Sequence, residues 1–233
     1  MDKKDVIKRM LDHAVHFGHR THKWNPLMKK YIYGQRKGIH IFDLEKTYDA
    51  LGKAVGLLKK AVSEGKVVLF VGTKPQAYKI ITEAATKCQM PYVAHKWVGG
   101  LLTNYATIKK RIDYLKKLKA QDGSGELEKY TKKEVVEFRK QINKLEAALG
   151  GLESMEGVPD ILFAVDAVRD DIAVKEANRL GIPVIAVTDS NADPSKIDYV
   201  LPGNDDAISS LEFFVGEIAN AIEGSKKSKS PKN

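Results

Sequence analysis

Two aspartates close apolar runs: Asp166 ends DILFAVD and Asp189 ends PVIAVTD, with Asp170, Asp171 and Asp193 close by. Carboxylates at the C-terminal ends of buried strands are where α/β enzymes often collect the metal ions of phosphoryl transfer. A metal-dependent phosphotransfer enzyme using Asp166 and Asp189 is therefore the catalytic reading of the chain. The competing reading, which is preferred, makes Asp166 or Asp170 a helix cap and places Asp189, Ser190, Asn191 and Asp193 in a loop of local side-chain bonds. No matching nucleophile, base or glycine-rich cradle accompanies the acids.

Another apolar run, KVVLFVG over residues 66–72, leads directly into Thr73-Lys74-Pro75. Gly, Thr and Lys at the end of a buried strand are the residue types of a phosphate site, because N–H groups at a helix N-terminus attract anions. Their spacing is wrong for it: VGTKPQA has neither the G-x-x-x-x-G-K-S/T of a P-loop nor the G-x-G-x-x-G of a dinucleotide site. Gly72 is expected to make a tight strand-to-helix turn, with Lys74 a surface cation. His13, His16, His19 and His22 recur at every third position, and imidazole is a common metal ligand. Gly18 breaks any single helix through them, so they are expected to face nucleic acid or the core rather than to form one metal cluster. Cys88 is the only cysteine, which rules out an internal disulfide and a multi-Cys zinc site.

A larger constellation mixes cations with aromatic rings: Arg20, His22, Lys23, Trp24, Lys29, Lys30, Tyr31, Arg36 and Lys37, joined later by Lys96 and Trp97. Lys and Arg neutralise phosphates, and aromatic or guanidinium planes stack on unpaired bases. The structural alternative for Trp24 and Trp97 is to anchor the core. The charge distribution favours a polyanion partner. Net charge is +9, yet residues 1–60 and 61–150 are each +8, residues 151–224 are −11 and the last nine residues are +4. Positive charge confined to part of a chain is the footprint of one face that meets nucleic acid.

The elements that must position these residues follow from periodicity. Val6, Ile7, Met10, Leu11, Ala14 and Val15 predict an opening helix, and Tyr31–Tyr33 with Ile39–Phe42 predict a β-hairpin whose basic tip is Gly34–Gly38. Asp43 is expected to cap a helix ended by Gly65; Pro75 is expected to start the next. Strands at 66–72, 91–94, 160–165, 183–187 and 199–201 alternate with helices, the last helix capped by Asn204 with Asp205 and Asp206 near its positive end. That alternation predicts an α/β fold with a doubly wound parallel five-stranded sheet. It is interrupted by two heptad seams, Leu101-Tyr105-Ile108-Ile112-Leu115 and Val135-Phe138-Ile142-Leu145-Leu149, on either side of the polar loop QDGSGELEKY. These predict an inserted antiparallel coiled-coil hairpin, with Lys109, Lys110 and Arg111 near its base. The expected organisation is an N-terminal helix and basic hairpin over 1–42, an α/β domain over 43–100 and 151–224, the hairpin insertion over 101–150, and a loose basic tail over 225–233. No run is long and apolar enough to span a membrane and no signal peptide is evident, so a cytosolic setting is expected, with no cofactor and no small-molecule substrate.

The strings HFGHRTHKWNPLMKKYIYGQRKGIHIFDLEKT, LFVGTK, HKWVGGLLTNYATIKKRI, PDILFAVDA, KEANRLGIPVIAVTDSNADP and LPGNDDAI run in order from about residue 10 to residue 223. In them the chain resembles the bacterial small-subunit ribosomal protein S-two family. The resemblance implies a flavodoxin-like body with a coiled-coil hairpin, rRNA binding between the head and body of the small subunit, and support for docking of ribosomal protein S-one, through the N-terminal region. It also implies that rRNA contacts fall among Arg20, Lys23, Trp24, Lys29, Arg36, Lys37, Lys74, Lys96, Trp97 and Asn104, with Gly99 and Gly100 allowing close backbone approach. Family members often carry Arg where this chain has Lys74 and Lys96, which replaces bidentate phosphate contacts with point charges.

Overall fold

The computed structural model describes residues 2–227. The chain opens with α1 (Lys3–Asp12), which buries Val6 and Met10. The apolar period continues to Val15, but Ala14 adopts a left-handed φ of 56°, so the helix ends sooner than the pattern predicts. Three strands follow, β1 (Phe17–Arg20), β2 (Ile32–Arg36) and β3 (Ile39–Phe42), in an antiparallel sheet ordered β1-β3-β2. The predicted hairpin is β2–β3, closed by Lys37 and Gly38 at positive φ of 51° and 75°. Two central residues at positive φ make a type I′ turn, whose twist matches that of the strands. β1 is absent from the sequence reading because FGHR carries no alternating apolar pattern.

α2 (Leu44–Ser63) starts where the Asp43 carboxylate accepts from the Glu45 N–H, and Gly65 at φ 87° turns the chain away from it. Next come β4 (Val68–Val71), α3 (Tyr78–Cys88), β5 (Tyr92–Val93), α4 (Tyr105–Gly123) and α5 (Lys132–Leu149). β6 (Ile161–Ala164), α6 (Asp171–Arg179), β7 (Val184–Thr188), β8 (Tyr199–Pro202) and α7 (Ile208–Lys227) complete the body. Pro75 sits in a turn three residues ahead of α3 rather than at its first residue. α7 includes residues 225–227 of the expected tail; the rest of the tail lies outside the described residues.

β4 to β8 form one parallel sheet in the order β5-β4-β6-β7-β8. This is the flavodoxin-like order, in which the strand sequence reverses direction between the first and third strands. Side chains alternate between two cores. Val68, Phe70, Ile161 and Phe163 face α1, α2, α3 and α7, while Leu69, Val71, Leu162 and Ala164 face α4, α5 and α6. The helical hairpin is thus more than a projecting arm: Ile108, Ile112, Leu115 and Leu118 of α4 and Leu145 and Leu149 of α5 belong to the second core. The predicted seams shift at their edges. Leu101 is buried in the turn before α4, α4 continues through Gly123 into the expected loop, and Leu127 plugs the far end. Thr131 and Glu134 then start α5 with a capping box.

Gly72 follows β4 for a packing reason. A Cβ there would lie 2.8 Å from both Ile81 of α3 and Val165 beyond β6. Gly72→Ala is expected to lower stability by about 1–3 kcal/mol through overpacking, read as a fall in urea midpoint; an unchanged midpoint would show that the turn has slack.

Candidate nucleic-acid interface

At the C-terminal edge of the parallel sheet, the switch point between β4 and β6 is where flavodoxin-like proteins hold their ligands. Here that point carries a buried ion cluster. The Lys74 ammonium donates to Oδ1 of Asp205 at 2.8 Å and to Oδ1 of Asp206 at 2.7 Å, and pairs with Oδ2 of Asp166 at 2.8 Å. It also donates to the Asp205 main-chain carbonyl. Burial alone would lower its pKa, but the surrounding carboxylates, Asp205 foremost, outweigh burial and hold it above the ordinary lysine value. Lys74 is 8% exposed, so the expectation that it meets an rRNA phosphate is corrected. Its charge is spent inside the protein.

Asp166 and Asp189 do converge on this edge, each already engaged. Asp166 accepts from the Val168 and Arg169 N–H groups as well as pairing with Lys74. Asp166 therefore makes the turn bonds. Asp170 instead accepts from the Thr73 hydroxyl at 2.6 Å, and burial pushes its pKa up to about 6. Asp189 accepts from the His19 main-chain N–H at 3.1 Å and lies 3.0 Å from His19 Nδ1. The N-terminal segment is laid across the strand ends by further backbone bonds, Asn25 N–H to the Ser190 carbonyl at 2.7 Å and Asn204 N–H to the Val15 carbonyl at 3.0 Å. Gly18 permits that approach, since a Cβ there would come within 3.1 Å of the Ser190 hydroxyl and 3.2 Å of Asp189. Of the histidine series, only His19 enters the cluster. His13 contacts the Arg9 carbonyl, His16 stacks on Phe17 and His22 is exposed.

The HKWVGGLLTN turn, which follows β5, is built around a residue that sequence reasoning missed. Glu176 of α6 is 8% exposed and accepts from Trp97 Nε1 and from the N–H groups of Gly100, Leu102 and Thr103, plus the Thr103 hydroxyl. Burial raises its pKa, but the Trp97 and backbone donors together outweigh burial and hold the carboxyl below its ordinary range. The signal was an acid on the apolar face of α6, beside Ala173, Val174 and Ala177. Trp97 is itself 7% exposed. Its ring is a core anchor, which corrects the expectation that it stacks on RNA. Gly100 needs its φ of 81° for the turn, whereas a Cβ at Gly99 would meet nothing within 4 Å.

The other expected contact residues remain outside. Arg20, Lys23, Lys29, Arg36, Lys37, Lys96, Asn104, Lys110 and Arg111 are exposed, and Lys109 and Trp24 are half-buried, Trp24 tilted against His40 at 4.9 Å. Among the described residues, none of the nine cations in that set forms an ion pair within the chain. Tyr33, at 82% exposure on β2, adds an unpacked ring beside them.

A family model described as Ribosomal protein S2 matches residues 10–225. A protein of a Nitratiruptor species, named small ribosomal subunit protein uS2, is 51% identical over 93% of this chain and 81% of its own length. Proteins of the same name from Campylobacter concisus and Treponema pallidum (strain Nichols) are 49% and 47% identical, over 95% and 93% of this chain and 84% and 75% of theirs. The chain belongs to the ribosomal protein S2 family. Members of this family are structural proteins of the small ribosomal subunit, not enzymes, so the phosphotransfer reading of Asp166 and Asp189 is set aside. In this chain Asp166 binds its own turn and Lys74, and Asp189 holds His19 of the N-terminal segment.

Glu176 makes the turn pH-sensitive in a defined direction. A depressed carboxyl pKa contributes stability that is complete above the ordinary carboxyl range and lost as pH falls through the folded value. Glu176→Gln is expected to cost on the order of 2 kcal/mol near neutral pH, because an amide cannot accept from all five donors. The gap from the parent in urea midpoint should close on acidification; a gap that is constant with pH would assign the turn to other contacts.

Proposed function

We propose that the chain, as a structural constituent of the small ribosomal subunit, binds small-subunit rRNA between head and body through the cations at the C-terminal edge of its sheet. The observation that carries this reading is the contrast in pairing. Lys74 is enclosed by three carboxylates, while Arg20, Lys23, Lys29, Arg36, Lys37, Lys96, Lys109, Lys110 and Arg111 have no acid partner among the described residues. Unpaired surface cations clustered on one part of a protein suit a phosphate backbone. Asn104 and Trp24 add polar and stacking capacity, and the exposed Tyr33 ring can stack on an unpaired base.

Lys37 gives the strongest local support. The first central position of a type I′ turn favours Asn, Asp or Gly, and other L-residues are strained there. A cation is kept at the tip against the conformational preference of the turn. The same N-terminal region is proposed to support docking of ribosomal protein S-one, with Leu11 and Phe17, 48% and 42% exposed, offering apolar contact on either side of the α1–β1 junction. The setting is that of the subunit, the bacterial cytoplasm; among the described residues no helix is long and apolar enough to cross a membrane.

Two measurements test the rRNA reading. If about 6–10 phosphates are neutralised, affinity for small-subunit rRNA in a filter-binding assay should fall by about 10³–10⁵ between roughly 50 and 200 mM salt; a salt-independent affinity would overturn it. Lys37→Asn is expected to raise folding stability by about 0.5–1 kcal/mol by relieving the turn. It should also weaken rRNA binding and reduce the salt slope by about 1. A variant with unchanged rRNA affinity would remove the hairpin tip from the interface.

A further inference from the structure

We propose that a slot on the β5 side of the parallel sheet takes the side chain of one arginine from a neighbouring protein of the small subunit. The inference goes beyond the rRNA reading and uses none of the cations assigned to it. The slot holds about 280 Å³ and lies between the start of α3, β5 and the C-terminal end of α5. That is below the roughly 300–1,000 Å³ of a small-molecule pocket and suits a single side chain.

Three aromatic rings line it. Tyr78, 41% exposed, packs on His95 with ring centroids 4.3 Å apart at 37°, and Tyr92 of β5 forms the wall beside Gly151, where a Cβ would lie 2.7 Å from the ring. Glu146 supplies the charge. Its Oε2 pairs with Lys119 at 2.8 Å, while Oε1 has no donor among the described residues and lies over Gly150, where a Cβ would come within 2.6 Å of it. α5 also ends here, an 18-residue helix with no basic residue in its last turn to compensate the negative end of its dipole. Carboxylate oxygen, helix C-terminus and ring faces all favour a cation. Among the described residues, those lining the slot include neither Lys nor Arg, which sets it apart from the cation-rich surface of the N-terminal sheet and α4. Burial first, and then nearby Tyr78, Glu146 and Glu153, raise the Tyr92 hydroxyl above its ordinary pKa, the response of a site that disfavours an anion. A phosphate backbone is therefore a poor occupant. A guanidinium is the better cation because it is planar, stacks on a ring and offers a fork of donors, whereas an ammonium is a strongly hydrated point charge. A side chain held nearby by the assembled subunit is presented at high effective concentration, which one small open slot requires.

The test reconstitutes small subunits from rRNA and purified subunit proteins, with the photoreactive residue p-benzoylphenylalanine in place of Asn143, which is exposed and lines the slot. Irradiation is expected to join it to an arginine-bearing segment of another subunit protein, identified by mass spectrometry. Adding Glu146→Gln or Tyr78→Ala, each checked for fold by circular dichroism, should lower the cross-link yield by about tenfold. Replacing the identified arginine by alanine should do the same. Lys59→Gln, exposed on α2 and packed against the other core, should leave the yield unchanged. Cross-linking to rRNA, to a segment without arginine or to nothing would each overturn the proposal, and so would an undiminished yield in both slot variants. Affinity for rRNA is read separately in the filter assay, so failure of the rRNA reading shows there and not in the cross-link.

Discussion

A buried ammonium needs counter-charges, and Lys74 finds them in Asp166 beyond β6 and in Asp205 and Asp206 ahead of α7. Removing one partner of such a cluster leaves an uncompensated buried charge, which typically costs about 3–5 kcal/mol. The cluster therefore fixes three segments against one another: the turn after β4, the turn after β6 and the entry to the last helix. Each follows the end of a parallel strand. The edge where an open α/β sheet normally keeps a crevice for a ligand is closed by the protein's own charges.

Closing that crevice changes what the fold can do. The N-terminal segment lies over the strand ends because Gly18 lets its backbone reach Ser190 and Asp189, and because His19 donates into the Asp189 carboxylate. From that anchorage the chain leads into the three-stranded sheet with the Lys37–Gly38 turn at its tip. On the other side of the sheet edge, Glu176 draws the Trp97 to Thr103 turn onto α6 and leaves Lys96 and Asn104 facing out. A scaffold type associated with binding small molecules here has its ligand crevice filled from within, and two loops project from the same edge.

The parallel sheet was legible because strands buried on both faces must be uniformly apolar, and VLFV, ILFA and VIAVT are. The hairpin was legible from its alternation around a glycine turn. β1 was not, since its place comes from pairing with β3 and docking on Asp189 rather than from its own composition. Lys74 and Trp97 were misread for one reason: residue type reports what a side chain is able to do, while burial by distant residues decides whether it is free to do it. Asp205 lies 131 positions from Lys74, and Glu176 lies 79 from Trp97. Those partners were visible only as a helix dipole's acids and as a misplaced acid on an apolar face.

The uneven charge of the chain acquires a physical meaning from these contacts. Part of the acid excess in residues 151–224 is turned inward, where Asp166, Asp170, Glu176, Asp189 and Asp205 are all buried and hydrogen-bonded. The basic two thirds supply donors to those acids, among them Lys74, the His19 N–H and the Trp97 indole. Acids that organise a loop need not lie on the surface it presents, so the cations nearby are not neutralised by them. With carboxylates engaged by backbone N–H groups and one buried lysine, Arg20, Lys23, Lys29, Arg36, Lys37, Lys96, Lys109, Lys110 and Arg111 stay without an acid partner among the described residues.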